Sequence, residues 1–177
     1  MKHGFNSLFY SALVWLLVLF VVAAPAVRAQ DSMITYVKAD LIVVRKAART
    51  LELWSKGETI AKYRIALGFN PVGPKEHEGD GKTPEGVYTI IKRNENSHYY
   101  KSLQLNYPSA ADIQAARAKG TAPGGLIMIH GLPNSKTAEQ VGHPDRDWTD
   151  GCIALADPEM ENVWNRVDVG TAVLVMP

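Results

Sequence analysis

The segment from Gly68 to Gly86 places five glycines and three prolines among nineteen residues, and it restricts the fold more than any other stretch of the chain. Proline removes a backbone donor and glycine weakens any regular element, so no helix runs through this segment. A chain interrupted in this way must build its core from short strands joined by turns. The flanks agree: Asp40–Arg45, Thr50–Trp54 and Thr59–Leu67 are β-rich runs, the last two joined by Ser55-Lys56-Gly57-Glu58, and they read as consecutive antiparallel strands. Gly86–Lys92 reads as another strand, and Ser102–Tyr107 as a further one, in which Leu103 and Leu105 alternate with polar neighbours.

Helical signals are few. Ser109 with Asp112 three residues on predicts a capped helix that Gly120 closes. Asp157 predicts the cap of a second helix, with Pro158 at its first position and Glu159 and Glu161 near the positive end of its dipole. Met160, Val163, Trp164 and Val167 share one face of that helix and read as core. Between the two helices, Leu126-Ile127-Met128-Ile129 is wholly apolar and predicts a buried strand that ends in His130-Gly131, while Thr171–Met176 predicts the last strand. The expectation is one mainly β domain over residues 30–177 with two or so peripheral helices.

The first thirty residues differ from the rest. Leu8–Ala24 is a run of 17 residues without a charge, ended by Pro25 and followed by the small-residue triplet Val27-Arg28-Ala29. This pattern predicts a secretory signal over residues 1–29, cleaved before Gln30, and hence a periplasmic or otherwise extracytoplasmic domain. The alternative is an uncleaved anchor, the one reading that would bring a membrane into contact. Without the leader, which carries Lys2 and Arg28, 17 basic side chains face 18 acidic ones. A near-neutral chain with no Lys/Arg-rich run is not expected to bind nucleic acid.

The 177-residue chain has one cysteine, which excludes an internal disulfide and any Cys-pair zinc site. An exported domain that keeps a single thiol makes that thiol a candidate reactive group, against the alternative of inert buried filler. Cys152 stands in Trp148-Thr149-Asp150-Gly151-Cys152, with His130 22 residues upstream. A histidine able to take the thiol proton turns cysteine into a nucleophile, and Gly151 leaves the backbone free to aim N–H groups at an oxyanion.

His130-Gly131, seventeen intervening residues and then Thr149-Asp150-Gly151-Cys152 resemble the signature of the L,D-transpeptidase (YkuD-like) family. A second match, Gly79-Asp80-Gly81-Lys82-Thr83-Pro84-Glu85-Gly86, is similar to that family's Gly-rich turn and Thr-Pro-x-Gly motif. The resemblance implies a β-sandwich-like catalytic fold acting on peptidoglycan stem peptides, with carbapenem-type compounds as inhibitors. It implies Cys152 as nucleophile, His130 as general base and then acid, Gly151 and Cys152 as backbone oxyanion donors, and Gly131 and Thr149 as site-loop residues. No metal or organic cofactor is implied. Transfer to a neighbouring stem is the expected outcome, with stem trimming, release of a wall-attached protein, or a catalytically lapsed wall-binding module as alternatives.

Two positions depart from the family pattern: Asp150 stands where many members have His, and Ala154 where many have Arg. Loss of that guanidinium removes a carboxylate partner that alanine cannot replace. Arg146 is a candidate replacement, against a solvated loop charge. His143 is a candidate cleft residue, against a water-exposed loop histidine, and Trp148 a candidate cleft wall, against a core residue. His77 and His98 read as surface. Zinc on His130, His143 and Cys152 is disfavoured because their spacing follows no compact ligand pattern.

Overall fold

The computed structural model describes residues 35–177. The expected leader over residues 1–29 lies outside them. Five strands come first: β1 (Leu41–Arg45), β2 (Thr50–Ser55), β3 (Glu58–Arg64), β4 (Gly86–Asn94) and β5 (Ser102–Leu105). There follow α1 (Ala110–Ala118), β6 (Met128–His130), α2 (Ala138–Val141), β7 (Ile153–Ala154), α3 (Asp157–Arg166) and β8 (Ala172–Met176). The strands form one eight-stranded sheet in the order β3-β2-β1-β8-β4-β5-β6-β7. Pairing is antiparallel except for β1 with β8 and β6 with β7, which are parallel.

The sheet curls because β4 changes partner along its length. Gly86–Thr89 pair with β8, and from Ile90 onward the strand pairs with β5, with a register irregularity between Ile90 and Lys92. Such irregularities bend a strand and increase its twist, so the two halves fold over a shared interior. Ile42, Leu53, Ile90, Leu105, Ile129 and Ile153 fill it, each fully buried.

The predicted strand Thr59–Leu67 divides in two for the same reason. Its first part pairs with β2, and the residues after Arg64 leave to meet β7. Ala66 and Ala154 exchange two backbone hydrogen bonds, 3.0 and 2.8 Å long, so the extension of one edge strand meets the other edge and closes the curl. The contact also covers the free edge of β7, whose backbone groups would otherwise be unpaired.

The helices cover the outside. α1 begins at the expected capping box, with Ser109 and Asp112 bonding each other's backbone N–H. Met160 and Val163 of α3 and Val167 just past its end are fully buried, and Trp164 packs against their cluster, as the stripe predicts. The Arg93 guanidinium lies 4.0 Å over the Trp164 ring. Asp157 is not the cap of α3: Ala156 holds that position and Asp157 is the first helical residue. Its carboxylate instead accepts the Leu132 N–H at 2.8 Å, which ties the helix start to the chain leaving β6. Two elements were not expected, the four-residue α2 and the two-residue β7. Among the described residues no helix is long and apolar enough to cross a membrane.

Candidate active site

His130 and Cys152 are delivered by neighbouring strands. β6 and β7 run parallel with His130 opposite Ala154, so Cys152, just before β7, enters the same cavity of about 540 Å³ from the adjacent strand. His130 is 4% exposed, and its Nδ1 lies 2.6 Å from the Gly131 carbonyl oxygen. A carbonyl only accepts, so Nδ1 carries the ring proton and Nε2 keeps the free lone pair. Gly131 must be glycine for this arrangement. A Cβ there would stand 2.6 Å from Asp157 Oδ1 and 2.8 Å from Tyr100 Cβ.

Burial sets the protonation of both groups. Desolvation lowers the His130 pKa to about 4, with nearby His143 acting in the same direction and the Gly131 bond opposing it. Desolvation also raises the Cys152 thiol, Asp150 adds to the rise, and the Met128 backbone bond opposes it. At rest the cavity thus holds a neutral thiol and a neutral imidazole, and Sγ donates to the Leu126 carbonyl at 3.6 Å.

His130 ties stability to pH. Between its ordinary value of 6.5 and its folded value of about 4, the unfolded chain binds a proton that the folded one does not. Stability therefore rises with pH through this window and is lost as pH falls through it, by roughly 3 kcal/mol for the full shift. Thermal melts from pH 7 down to about pH 4 should show a falling Tm, with a shallower fall in His130→Asn; equal slopes would mean that another group titrates.

The nucleophile turn is held from within and from below. The Thr149 hydroxyl donates to the Cys152 carbonyl at 2.8 Å and accepts the Gly151 N–H at 3.1 Å. Gly151 is thus corrected as an oxyanion donor: its N–H points into the turn, because the Thr149 oxygen still has a lone pair to offer. Gly151 sits at φ 134°, and a Cβ there would be 2.6 Å from the Lys82 carbonyl oxygen. Beneath it, Gly68 donates its N–H to Thr83 Oγ1 at 3.1 Å, and a Cβ on Gly68 would meet the Gly81 oxygen at 2.1 Å and Gly151 Cα at 2.9 Å. The Gly-rich motif is therefore the floor of the nucleophile turn, backbone against backbone.

That floor is itself fixed by Asp80, which accepts Glu76 N–H, Lys82 N–H and Lys75 Nζ at 2.7, 3.0 and 2.7 Å. Burial alone would raise its carboxyl, but these donors outweigh it and hold the pKa down at about 2.

Trp148, Thr149 and Asp150 line the cavity with His130 and Cys152, while Gly131 and Gly151 act from behind it. The Trp148 ring meets His130 edge-on at 5.7 Å, so it walls the cleft. His143 corrects its expected exposure: at 8% it is buried, because Gly142 at φ 75° ends α2 and turns the chain inward. Its Nδ1 has no partner among the described residues. Arg146 is exposed and is not among the cavity-lining residues, so it does not replace the missing guanidinium. His77 and His98 are exposed, as expected.

Sequence reasoning missed Tyr99, whose ring lies 4.6 Å from His130 and stacks on Trp148 at 6.3 Å. It also missed Leu126 and Lys136 on the cavity wall. Tyr99 and Lys136 arrive from loops, while Leu126, expected inside a buried strand, lies before β6 at φ 56° and is 67% exposed, so the strand begins only at Met128. Among the described residues no group of three His, Cys, Asp or Glu could hold a metal ion.

The family model for the L,D-transpeptidase catalytic domain (YkuD) matches residues 39–175. The L,D-transpeptidase-type protein YafK of Escherichia coli (strain K12) is 39% identical over 97 residues, 51% of this chain and 37% of YafK. YqjB of Bacillus subtilis (strain 168), of the same type, is 26% identical over 135 residues, 76% of this chain and 69% of YqjB. The crystal structure of Pgp2, a helical cell shape determining protein from Campylobacter jejuni, superposes with a TM-score of 0.60 at 27% identity, covering 77% of this chain and 47% of that one. The chain thus spans less than half the length of YafK and of Pgp2.

Proposed function

The chain belongs to the L,D-transpeptidase catalytic-domain family, and from that premise we propose that it is an extracytoplasmic acyltransferase in which Cys152 forms a thioester with a peptidoglycan stem peptide. The observation that carries this reading is the shared cavity of Cys152 and a His130 whose tautomer leaves Nε2 free. His130 Nε2 takes the thiol proton as Sγ attacks the carbonyl that follows an L-centre of the stem, usually that of diaminopimelate. The Cys152 N–H is the backbone donor available to the oxyanion, since the Gly151 N–H is bonded to Thr149. The tetrahedral intermediate collapses, the C–N bond breaks, and the departing D-amino acid takes the proton from His130. An amine of a neighbouring stem then attacks the thioester, gives its proton to His130, and Cys152 leaves as the restored thiol. Leader cleavage before Gln30 would place this chemistry in the periplasm.

Incubation with purified muropeptides, read by mass, tests the proposal. Cross-linked dimers are expected. Shortened stems without dimers would assign the second step to water instead. Unmodified stems, together with no covalent carbapenem adduct on Cys152, would overturn the enzyme reading.

A further inference from the structure

Two charged side chains line the cavity without partners. Lys136 and Asp150 are both exposed, and among the described residues neither has an ion pair or a side-chain hydrogen bond. Several other charges are engaged: Arg49 holds Asp147 at 2.8 Å, Arg64 holds Asp145 at 2.9 Å, and Lys75 holds Asp80 at 2.7 Å, whereas Glu78, in the recess that adjoins Asp150, has no ion pair among the described residues. Nor does either residue hang on a loose loop. Lys136 closes a turn through its N–H to the Pro133 carbonyl at 3.0 Å, and the capping box of Thr137 and Gln140 follows directly. Asp150 lies between Thr149 and Gly151, both pinned by the bonds described above.

The usual cation cannot come from position 154. Ala154 is fully buried, pairing with His130 on one side and Ala66 on the other. Lys136 is the cation that faces the nucleophile's cavity instead. Asp150 stands on a boundary, since it also lines a second recess of about 290 Å³ that includes Phe69, Gly81 and Gly124. The remaining walls, with Tyr99, Leu126 and Trp148, are chiefly apolar. In such a pocket a few polar groups fix the orientation of the ligand.

We infer that Lys136 and Asp150 are specificity-determining residues that together recognise an amino acid head group, Lys136 taking its carboxylate in the larger cavity and Asp150 its ammonium at the boundary with the second recess. A diaminopimelate stem supplies such a head group at its D-centre. The inference rests on the stem-peptide reading above and names the part of the stem that is read. It also gives Asp150 a use. Its negative charge opposes thiolate formation at Cys152, and an ammonium seated on it cancels that opposition when substrate is bound.

Calorimetric binding to the Cys152→Ala protein tests this without turnover. Three muropeptides are compared: one with a free diaminopimelate head group, its carboxamide and its N-acetyl derivative. Lys136→Met should weaken binding of the free form about tenfold and leave the carboxamide unchanged, with Lys136→Arg restoring it. Asp150→Asn should weaken the free form about tenfold and leave the N-acetyl derivative unchanged. With Cys152 restored, Asp150→Asn should also speed alkylation by neutral iodoacetamide at fixed pH. Losses equal across the three ligands, no losses, or no binding of the free form would overturn the inference. Selective binding without turnover by the wild type would overturn the proposed function alone, and turnover without selectivity would overturn the inference alone.

Discussion

Replacing Cys152 by alanine should lower muropeptide turnover by about 10⁴-fold or more and abolish the covalent carbapenem adduct, while the domain stays folded. The size of the effect follows from the chemistry. No other thiol exists in the chain to take over, and among the described residues lining the cavity none is a comparable nucleophile. The structural cost is small because Sγ makes only weak polar contacts, a 3.6 Å bond to the Leu126 carbonyl and one with the Met128 backbone, in a cavity wall. Removing one sulfur there should move stability by about 1 kcal/mol at most. His130→Asn should be similarly damaging, and the double variant little worse than either, since thiol and base act as one unit. Product analysis by mass with parallel thermal melts checks all three. A Cys152→Ala protein that still converts muropeptides at the wild-type rate would end the nucleophile assignment.

Gly68→Ala should be the most damaging change outside the reacting groups. The added Cβ would stand 2.1 Å from the Gly81 oxygen and 2.9 Å from Gly151 Cα, and both are backbone atoms that cannot rotate away. Something in the floor of the nucleophile turn must move. Overpacking typically costs 1–3 kcal/mol, and a clash between backbones belongs at or above about 3 kcal/mol. A displacement of Gly151 by a fraction of an ångström also misaims Cys152, so activity should fall about 100-fold or more. Gly125→Ala is the stability control, because nothing lies within 4 Å of its Cβ position. Denaturant unfolding of both variants decides: a Gly68→Ala protein as stable as Gly125→Ala would mean that the floor is soft.

The sequence is most informative where structure is local. The Ser109 and Asp112 capping box and the apolar stripe of α3 each carry their signal within a few residues and are found, and the apolar run ending at His130 yields its strand from Met128 on, with Leu126 left exposed. What was missed depends on partners far along the chain. β7 has two residues, too few for any alternation, and exists because Ala66 and Met128–His130 flank it. α2 has four residues, too few for a helical period, although Thr137 and Gln140 do spell a capping box that could have revealed it. Asp157 has the chemistry of a cap, but its carboxylate is taken by Leu132. At the site, the spacing of His130 and Cys152 marks the pair. The aromatic wall of Tyr99, the burial of His143 and the inward N–H of Gly151 all depend on how separate loops converge.

The two hydrogen bonds between Ala66 and Ala154 also bear on how the site comes into being. They join the two halves of the chain, so the entropy of closing a long loop must be met before either contact contributes. The nucleophile turn hangs on the same seam, through the Thr149 bonds to Leu67 and Phe69. A partly folded chain can hold β1, β2 and β3 together by short-range pairing, yet it has no floor for Gly151 and no fixed place for Cys152. Cys152 therefore has no fixed place relative to His130 until the last strands dock, and the pairing of nucleophile with base exists only in the completed domain.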